Sequence, residues 1–260
     1  KLASGVYQRL TARVLVVPPD LEYFIDSGSN GSAEGSAYAA VEGRDDLRND
    51  SADQKWDGKA ADKTWGYATT AAALATGTPQ DWASSWVGAE YNKPVTYYLS
   101  LPAGSYNIGA VQTPRPGLTT NLYAKVSFGS SSDTKSAVSQ GSATTIAHSI
   151  TVDTETIVAL EFGTTGTSGY NARLGLLYVQ SVPRDLGVQG ALGIEDALPT
   201  SVEVGGVQRA VQWDADSAGQ SRKDYSTLVV SGRLSESGQR IVASYEIIPA
   251  GLVYYIDSGT

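Results

Sequence analysis

The chain has 260 residues, 41% hydrophobic and 18% charged, with 28 Gly and 10 Pro, a folded composition that excludes a disordered tail, a collagen-like chain or a charged coiled coil. Nineteen Lys and Arg against 27 Asp and Glu give a net charge of −8, which argues against a phosphate-binding surface and so against nucleic acid as a partner. With no Cys and one His, disulfides, thiolate chemistry and multi-His metal centres are excluded within the chain, and no run reaches the ~20 apolar residues of a membrane span. Met is absent as well, as expected of a processed product or an interior piece of a longer chain.

The first informative stretch is repeated. Gln8–Ser29 aligns without gaps on Gln239–Thr260, and ten of 22 positions are identical, among them Pro18/Pro249, Leu21/Leu252, Tyr23/Tyr254, Ile25/Ile256, Asp26/Asp257 and Gly28/Gly259. The chain therefore reads as a unit of 231 residues followed by a second copy of the junction on which it begins, a slice of a tandem array. Residues 1–17 are expected to form the final strand of a preceding module. Residues 249–260 are expected to start the first strand of a following one. Strands parted from their own modules invite head-to-tail exchange between molecules.

The next region is poor in strand pattern and rich in acids and aromatics. Asp45, Asp46, Asp50, Asp53, Asp57 and Asp62 supply oxygen groups of the kind Ca²⁺ accepts, without the spacing of a dedicated loop, so a solvated acidic surface balanced by Arg44, Arg48, Lys55 and Lys59 is the competing reading. Trp56, Trp65, Trp82 and Trp86 fall within 31 positions, beside Asp57, Tyr67 and Asp81. Rings next to carboxylates suit sugar recognition, because the C–H face of a pyranose stacks on a ring while polar neighbours bond its hydroxyls. Alternatively the Trp side chains wedge a long loop onto the core. Thr69–Leu74 is the only helix-like stretch.

From there the two-residue period of half-buried strands dominates. Val95–Leu101, Tyr106–Val111, Asn121–Gly129, Ser149–Val152, Thr156–Phe162, Leu174–Val182, Val207–Trp213, Thr227–Leu234 and Arg240–Ile248 all read as strands, and this density of short strands with Gly/Ser/Thr turns indicates β-sandwiches. His148 is expected at the surface of its strand rather than in catalysis. Gly163–Gly169 reads as a turn without the Lys of a phosphate loop, flanked by Tyr170, Asn171 and Arg173, which can line a binding face. A boundary is expected where Val182-Pro183 closes a strand. It divides residues 18–182 from 183–248.

The strand Tyr23–Gly28, the segments Asp53–Trp56 and Trp65–Tyr67, Val95–Leu101 leading into Pro102-Ala-Gly-Ser-Tyr106, and the closing Leu174–Val182 resemble malectin-like and galactose-binding-like jelly rolls, the fold of many carbohydrate-binding modules. Leu198–Val202, Val207–Asp214, Tyr225 and Val229–Leu234 resemble the bacterial Ig-like family found in multimodular secreted glycoside hydrolases and surface proteins. Trp213 is then the core plug of that smaller module. The resemblance implies an all-β chain with two sandwiches, a non-catalytic polysaccharide-binding module with an Ig-like spacer, neighbouring repeats or a catalytic module in the parent chain, an extracellular location, and room for a structural Ca²⁺. The candidate ligand-binding residues are Trp82, Trp86, Trp56, Trp65, Tyr67, Asp57, Asp81, Tyr170 and Asn171. The alternative is a stalk repeat of an adhesin or cell-wall protein with the Trp side chains in its core.

Overall fold

The computed structural model describes residues 20–27, 55–56, 64–68, 73–75, 86–88, 93–165, 172–249 and 251–252, with backbone alone at 73–75 and 86–88. The expected strands at 1–17 and at the chain end from 253 lie outside these residues. Eleven strands come first: β1 (Leu21–Asp26), β2 (Trp65–Ala68), β3 (Ala73–Ala75), β4 (Trp86–Gly88), β5 (Val95–Leu101), β6 (Gly104–Gln112), β7 (Thr119–Phe128), β8 (Ser131–Gln140), β9 (Thr144–Val152), β10 (Thr156–Thr164) and β11 (Leu174–Val182). Within the helix-like stretch, Ala73 and Leu74 belong to β3, where pairing with β4 overrides the local pattern.

These strands make a jelly-roll β-sandwich. One sheet runs β3-β4-β11-β6-β9 with β1 also on β11, and the facing sheet runs β2-β5-β10-β7-β8. Alternate residues of both sheets point inward, so that Tyr97, Leu99, Ile108, Leu122, Val126, Leu160, Phe162 and Leu177 are sealed from solvent in one core. Burying side chains of this size contributes about 1.5–3 kcal/mol each, which explains why register follows the hydrophobic alternation.

Polar tips crossing this core tie the sheets together. Tyr23 of β1 donates to the carbonyls of Thr64 (3.0 Å) and Ser100 (2.8 Å) on the opposite side, and Tyr97 of β5 donates to Ser27 (3.1 Å). His148 corrects the expectation of a surface residue. In β9 it shares the inward face with Ile146, Ile150 and Val152, and its ring nitrogens lie 2.8 Å from the Asp133 carboxylate on β8 and 3.1 Å from the Ala124 carbonyl on β7. A period-two strand places every second residue inside, and the imidazole stays there because both nitrogens have partners.

The third sheet comprises β12 (Arg184–Gly193), β13 (Ser201–Val204), β14 (Val207–Trp213), β15 (Thr227–Leu234) and β16 (Arg240–Ile248), in the order β12-β16-β15-β14-β13, with a single-turn helix α1 (Ala215–Ala218) after β14. Its two edges meet, since the Glu203 amide of β13 donates to the Gln189 side chain of β12 (2.8 Å). The sheet therefore curls around its own core of Val230, Ile241, Ala243, Tyr245 and Ile247. Trp213 fills that core as its sequence position suggests, edge-on to Tyr245 at 6.3 Å, with its indole N–H on the Pro199 carbonyl (2.6 Å).

A charged joint connects the third sheet to the first. Because β1 runs antiparallel to β11, Asp20 stands beside the strand that leads into β12, and its carbonyl accepts from the Ser181 amide (2.8 Å). Arg240 of β16 donates from Nε to Asp20 (2.9 Å), from Nη2 to the same carboxylate, and from Nη1 to both oxygens of Asp214 (2.8 and 2.7 Å). Arg233 of β15 pairs with Glu22 of β1 (2.7 Å), which also accepts from the Ser181 hydroxyl. Burial opposes the Arg240 charge, yet the two carboxylates hold its pKa above the usual arginine value. Asp20 adopts φ 60°, and Gly251, its counterpart in the repeat, adopts φ 74°. A side chain is costly in that left-handed region by about 1 kcal/mol, so Asp20 is strained where Gly251 is not. The carboxylate that grips Arg240 explains why an aspartate stands there.

Replacing Arg240 strands the largely buried carboxylate of Asp20 and the partly exposed one of Asp214. Arg240→Ala is expected to lower stability by about 3 kcal/mol in denaturant titration and to separate the unfolding of the two cores in calorimetry. An unchanged midpoint would show that the joint contributes nothing.

Candidate functional site

The inward residues of β5, β10 and β7 leave their alternates on the outer face of that sheet: Thr96, Tyr98 and Ser100; Ile157, Ala159 and Glu161; Tyr123, Lys125 and Ser127. Register aligns them across strands. Tyr98 stands opposite Gly66 and Ala159, Glu161 lies between Thr96 and Lys125, and Tyr123 lies opposite Gly163.

Two glycines let aromatic groups lie close to this face. A Cβ at Gly66 would sit 2.8 Å from the Trp56 amide nitrogen, and a Cβ at Gly163 would sit 2.6 Å from the Tyr123 ring. Without them, Trp56 donates its amide to the Tyr67 carbonyl (2.8 Å) and stacks its indole on Tyr98, centroids 5.4 Å apart and planes 28° apart. Tyr123 lies against Gly163 and donates its hydroxyl to Glu161 Oε1 (2.7 Å). Burial, then the hydrogen bond to Glu161, pushes the Tyr123 phenol well above the ordinary tyrosine range. Trp56, Tyr98, Tyr123, Lys125 and Glu161 are all half-buried, reachable yet held in place. A flat ring pair, a carboxylate and an ammonium side by side can stack on an apolar ring face and bond adjacent hydroxyls.

The opposite outer face differs. There Tyr178 covers Gly109, but its neighbours are Leu21, Phe24 and Leu176, an apolar cluster.

The sequence-predicted residues divide into three groups. Trp56 is on the platform. Trp65 and Tyr67, each 4% exposed, belong to the hydrophobic core, Tyr67 against Tyr97 at 6.2 Å, so they are corrected from ligand contacts to core residues. The reason is the strand period: in β2 they occupy the inward positions on either side of Gly66. Trp86 lies on the backbone of β4 opposite Ala75, while Trp82, Asp57, Asp81, Tyr170 and Asn171 lie outside the described residues. The acidic residues 45–53 and 62 lie outside them too, and among the described residues no group of three or more His, Asp or Glu could hold a metal ion. Tyr98, Tyr123, Lys125 and Glu161 escaped a strand-by-strand reading. Their signal is the polar half of each alternation, visible only once register lines the strands up.

No protein-family model and no curated protein matches the chain. Among solved structures, a family 35 carbohydrate-binding module from Cellvibrio japonicus is similar over 37% of this chain and 72% of that one, at 13% identity and TM-score 0.30. A family 35 carbohydrate-binding module from Clostridium thermocellum is similar over 46% of this chain and 90% of that one, at 15% identity and TM-score 0.29. A β-glucuronidase from Bacteroides uniformis is similar over 62% of this chain but only 18% of its own, at 15% identity and TM-score 0.39.

The Tyr123–Glu161 contact is testable by ultraviolet absorbance titration. Tyr123→Phe should remove one late-ionising phenol, and Glu161→Gln should bring that phenol part of the way back toward the ordinary range near pH 10. Because the folded pKa is raised, the stability it contributes is complete below about pH 10 and is lost as pH rises through the folded value. Identical titrations of the parent and Glu161→Gln would contradict the contact.

Proposed function

We propose that the jelly roll is a non-catalytic carbohydrate-binding module, and that the curled third sheet is an Ig-like spacer beside it in a larger secreted or cell-surface protein. The platform of Trp56 on Tyr98, with Glu161, Lys125 and Tyr123 on adjoining strands, carries this reading. It joins an apolar stacking surface to paired donors and acceptors, the combination a sugar ring requires. The solved structures similar to this chain include modules named for carbohydrate binding, which agrees with the reading.

Non-catalytic binding is part of the proposal, and the carboxylate spacing among the described residues agrees with it. Glycoside hydrolysis needs two carboxyls roughly 5–9.5 Å apart. Among the described residues, Glu161 on this face stands six positions along the chain from Glu155, which binds Ser100 at the far end of β5 (3.1 Å), a separation of about 20 Å at strand rise. An extracellular setting is part of the proposal. No helix among the described residues is long and apolar enough to cross a membrane.

The charged joint favours a second role for the same chain. Arg240 and Arg233 gripping β1 suit a stalk in which each module is fixed to the next. The readings separate on ligand binding.

Retention of the full chain on polysaccharide affinity gels is the test. Binding should weaken by about tenfold or more in Trp56→Ala and in Glu161→Gln, the cost of one stacked ring or one charged hydrogen bond. No retention on any polysaccharide would leave the stalk reading.

A further inference from the structure

We infer that the platform takes the interior of an extended glycan chain, laid diagonally across the strands with about three sugar units between Trp56 and Tyr123; this rests on the carbohydrate-binding reading above. The line is set by register. Tyr98 lies on β5, opposite Ala159; Glu161 lies two residues further along β10; and Tyr123 lies on β7, opposite Gly163, two residues further again. Each step moves one strand across and two residues along, about 8 Å with strands ~4.8 Å apart and a rise of ~3.4 Å per residue. The two aromatic groups are therefore about 16 Å apart with the carboxylate midway. An extended pyranose chain advances about one strand spacing, ~5 Å, per unit, so three units fill that span.

The chemistry along the line fits sugars joined in a chain. Trp56 on Tyr98 offers a stacking surface at one end and Tyr123 offers a ring at the other. Between them, Glu161 gives Oε1 to Tyr123, while its Oε2 has no hydrogen-bond partner among the described residues. The ammonium of Lys125 and the hydroxyl of Thr96 flank it on the neighbouring strands. An acceptor beside a donor matches the vicinal hydroxyls of a middle unit.

Among the described residues, nothing walls the far end. Past Tyr123 and Lys125 the face continues onto β8, where Ser136 and Thr134 stand directly opposite them and, like Ser132, are exposed. A pocket for a terminal sugar needs a closed end. This surface gives a continuing chain more hydroxyl contacts.

Calorimetric titration of the full chain with cello-, xylo-, manno- and β-1,3-gluco-oligosaccharides, from mono- to hexasaccharide, tests the inference. For the series that binds, affinity should rise at least tenfold between the disaccharide and the tetrasaccharide and then level off. It should be indifferent to blocking either chain end, and it should fall about tenfold in Lys125→Ala. A monosaccharide as tight as the tetrasaccharide, or loss on blocking one end, would replace the chain-interior site by a terminal one while leaving carbohydrate binding intact. Failure of every sugar, with no retention on polysaccharide gels, would overturn both.

Discussion

The seat of β1 on β11 is the constraint from which the rest of the molecule follows. The two strands come from opposite ends of a stretch of about 160 residues, and pairing them closes the sandwich at the cost of ordering everything between. That cost is offset inside and outside the sheet. Inward, Ile25 and Tyr23 enter the core, and the Tyr23 hydroxyl crosses to the carbonyls of Thr64 and Ser100, fixing the facing sheet that bears the platform. Outward, Glu22 and the neighbouring Asp20 meet the arginines of the third sheet. One strand thus holds sheet to sheet and core to core.

The platform depends on what the facing sheet omits. Gly66 and Gly163 weaken their strands, since each lacks a side chain to pack, and glycine in a strand interior marks a close approach of something else. Here the approaching groups are Trp56 and Tyr123. An alanine at either position would push against backbone or ring, so the face is flat because two side chains are missing from it. Tyr123 is then fixed at both ends, by the glycine beneath its ring and by Glu161 at its hydroxyl, and little conformational freedom remains to be lost on binding.

Much of this was legible in the sequence wherever apolar and polar residues alternate. β5, β11, β14, β15 and β16 have the limits that their patterns indicate, and Trp213 has the core position its surroundings suggest. β8 gives no signal, because nearly all of its residues are polar and exposed and its hydrogen bonds to β7 alone make it a strand. β12 is broken by glycines at its register shifts, which hides its pairing with β16. His148 looked like a surface residue because a lone His among Ala and Ser carries no mark of burial; only Asp133 and Ala124, brought close by the fold, make the interior acceptable. Clustered tryptophans single out a region of the chain, but clustering in sequence does not say which face of a strand a ring occupies. Trp65 turned inward, and the carboxylate that completes the platform came from Glu161, about a hundred residues later.

The measurement that bears most directly on the platform is a map of backbone amide shifts in the full chain, by nuclear magnetic resonance, during titration with a polysaccharide-derived oligosaccharide that the protein retains. The largest changes should fall on Gly66–Ala68, Thr96–Tyr98, Tyr123–Lys125 and Glu161–Gly163, on three or more adjoining strands of one face. Changes confined to the loop-side ends of the strands, around Gln112–Thr113 and Ala172–Leu174, with the sheet face silent, would contradict it.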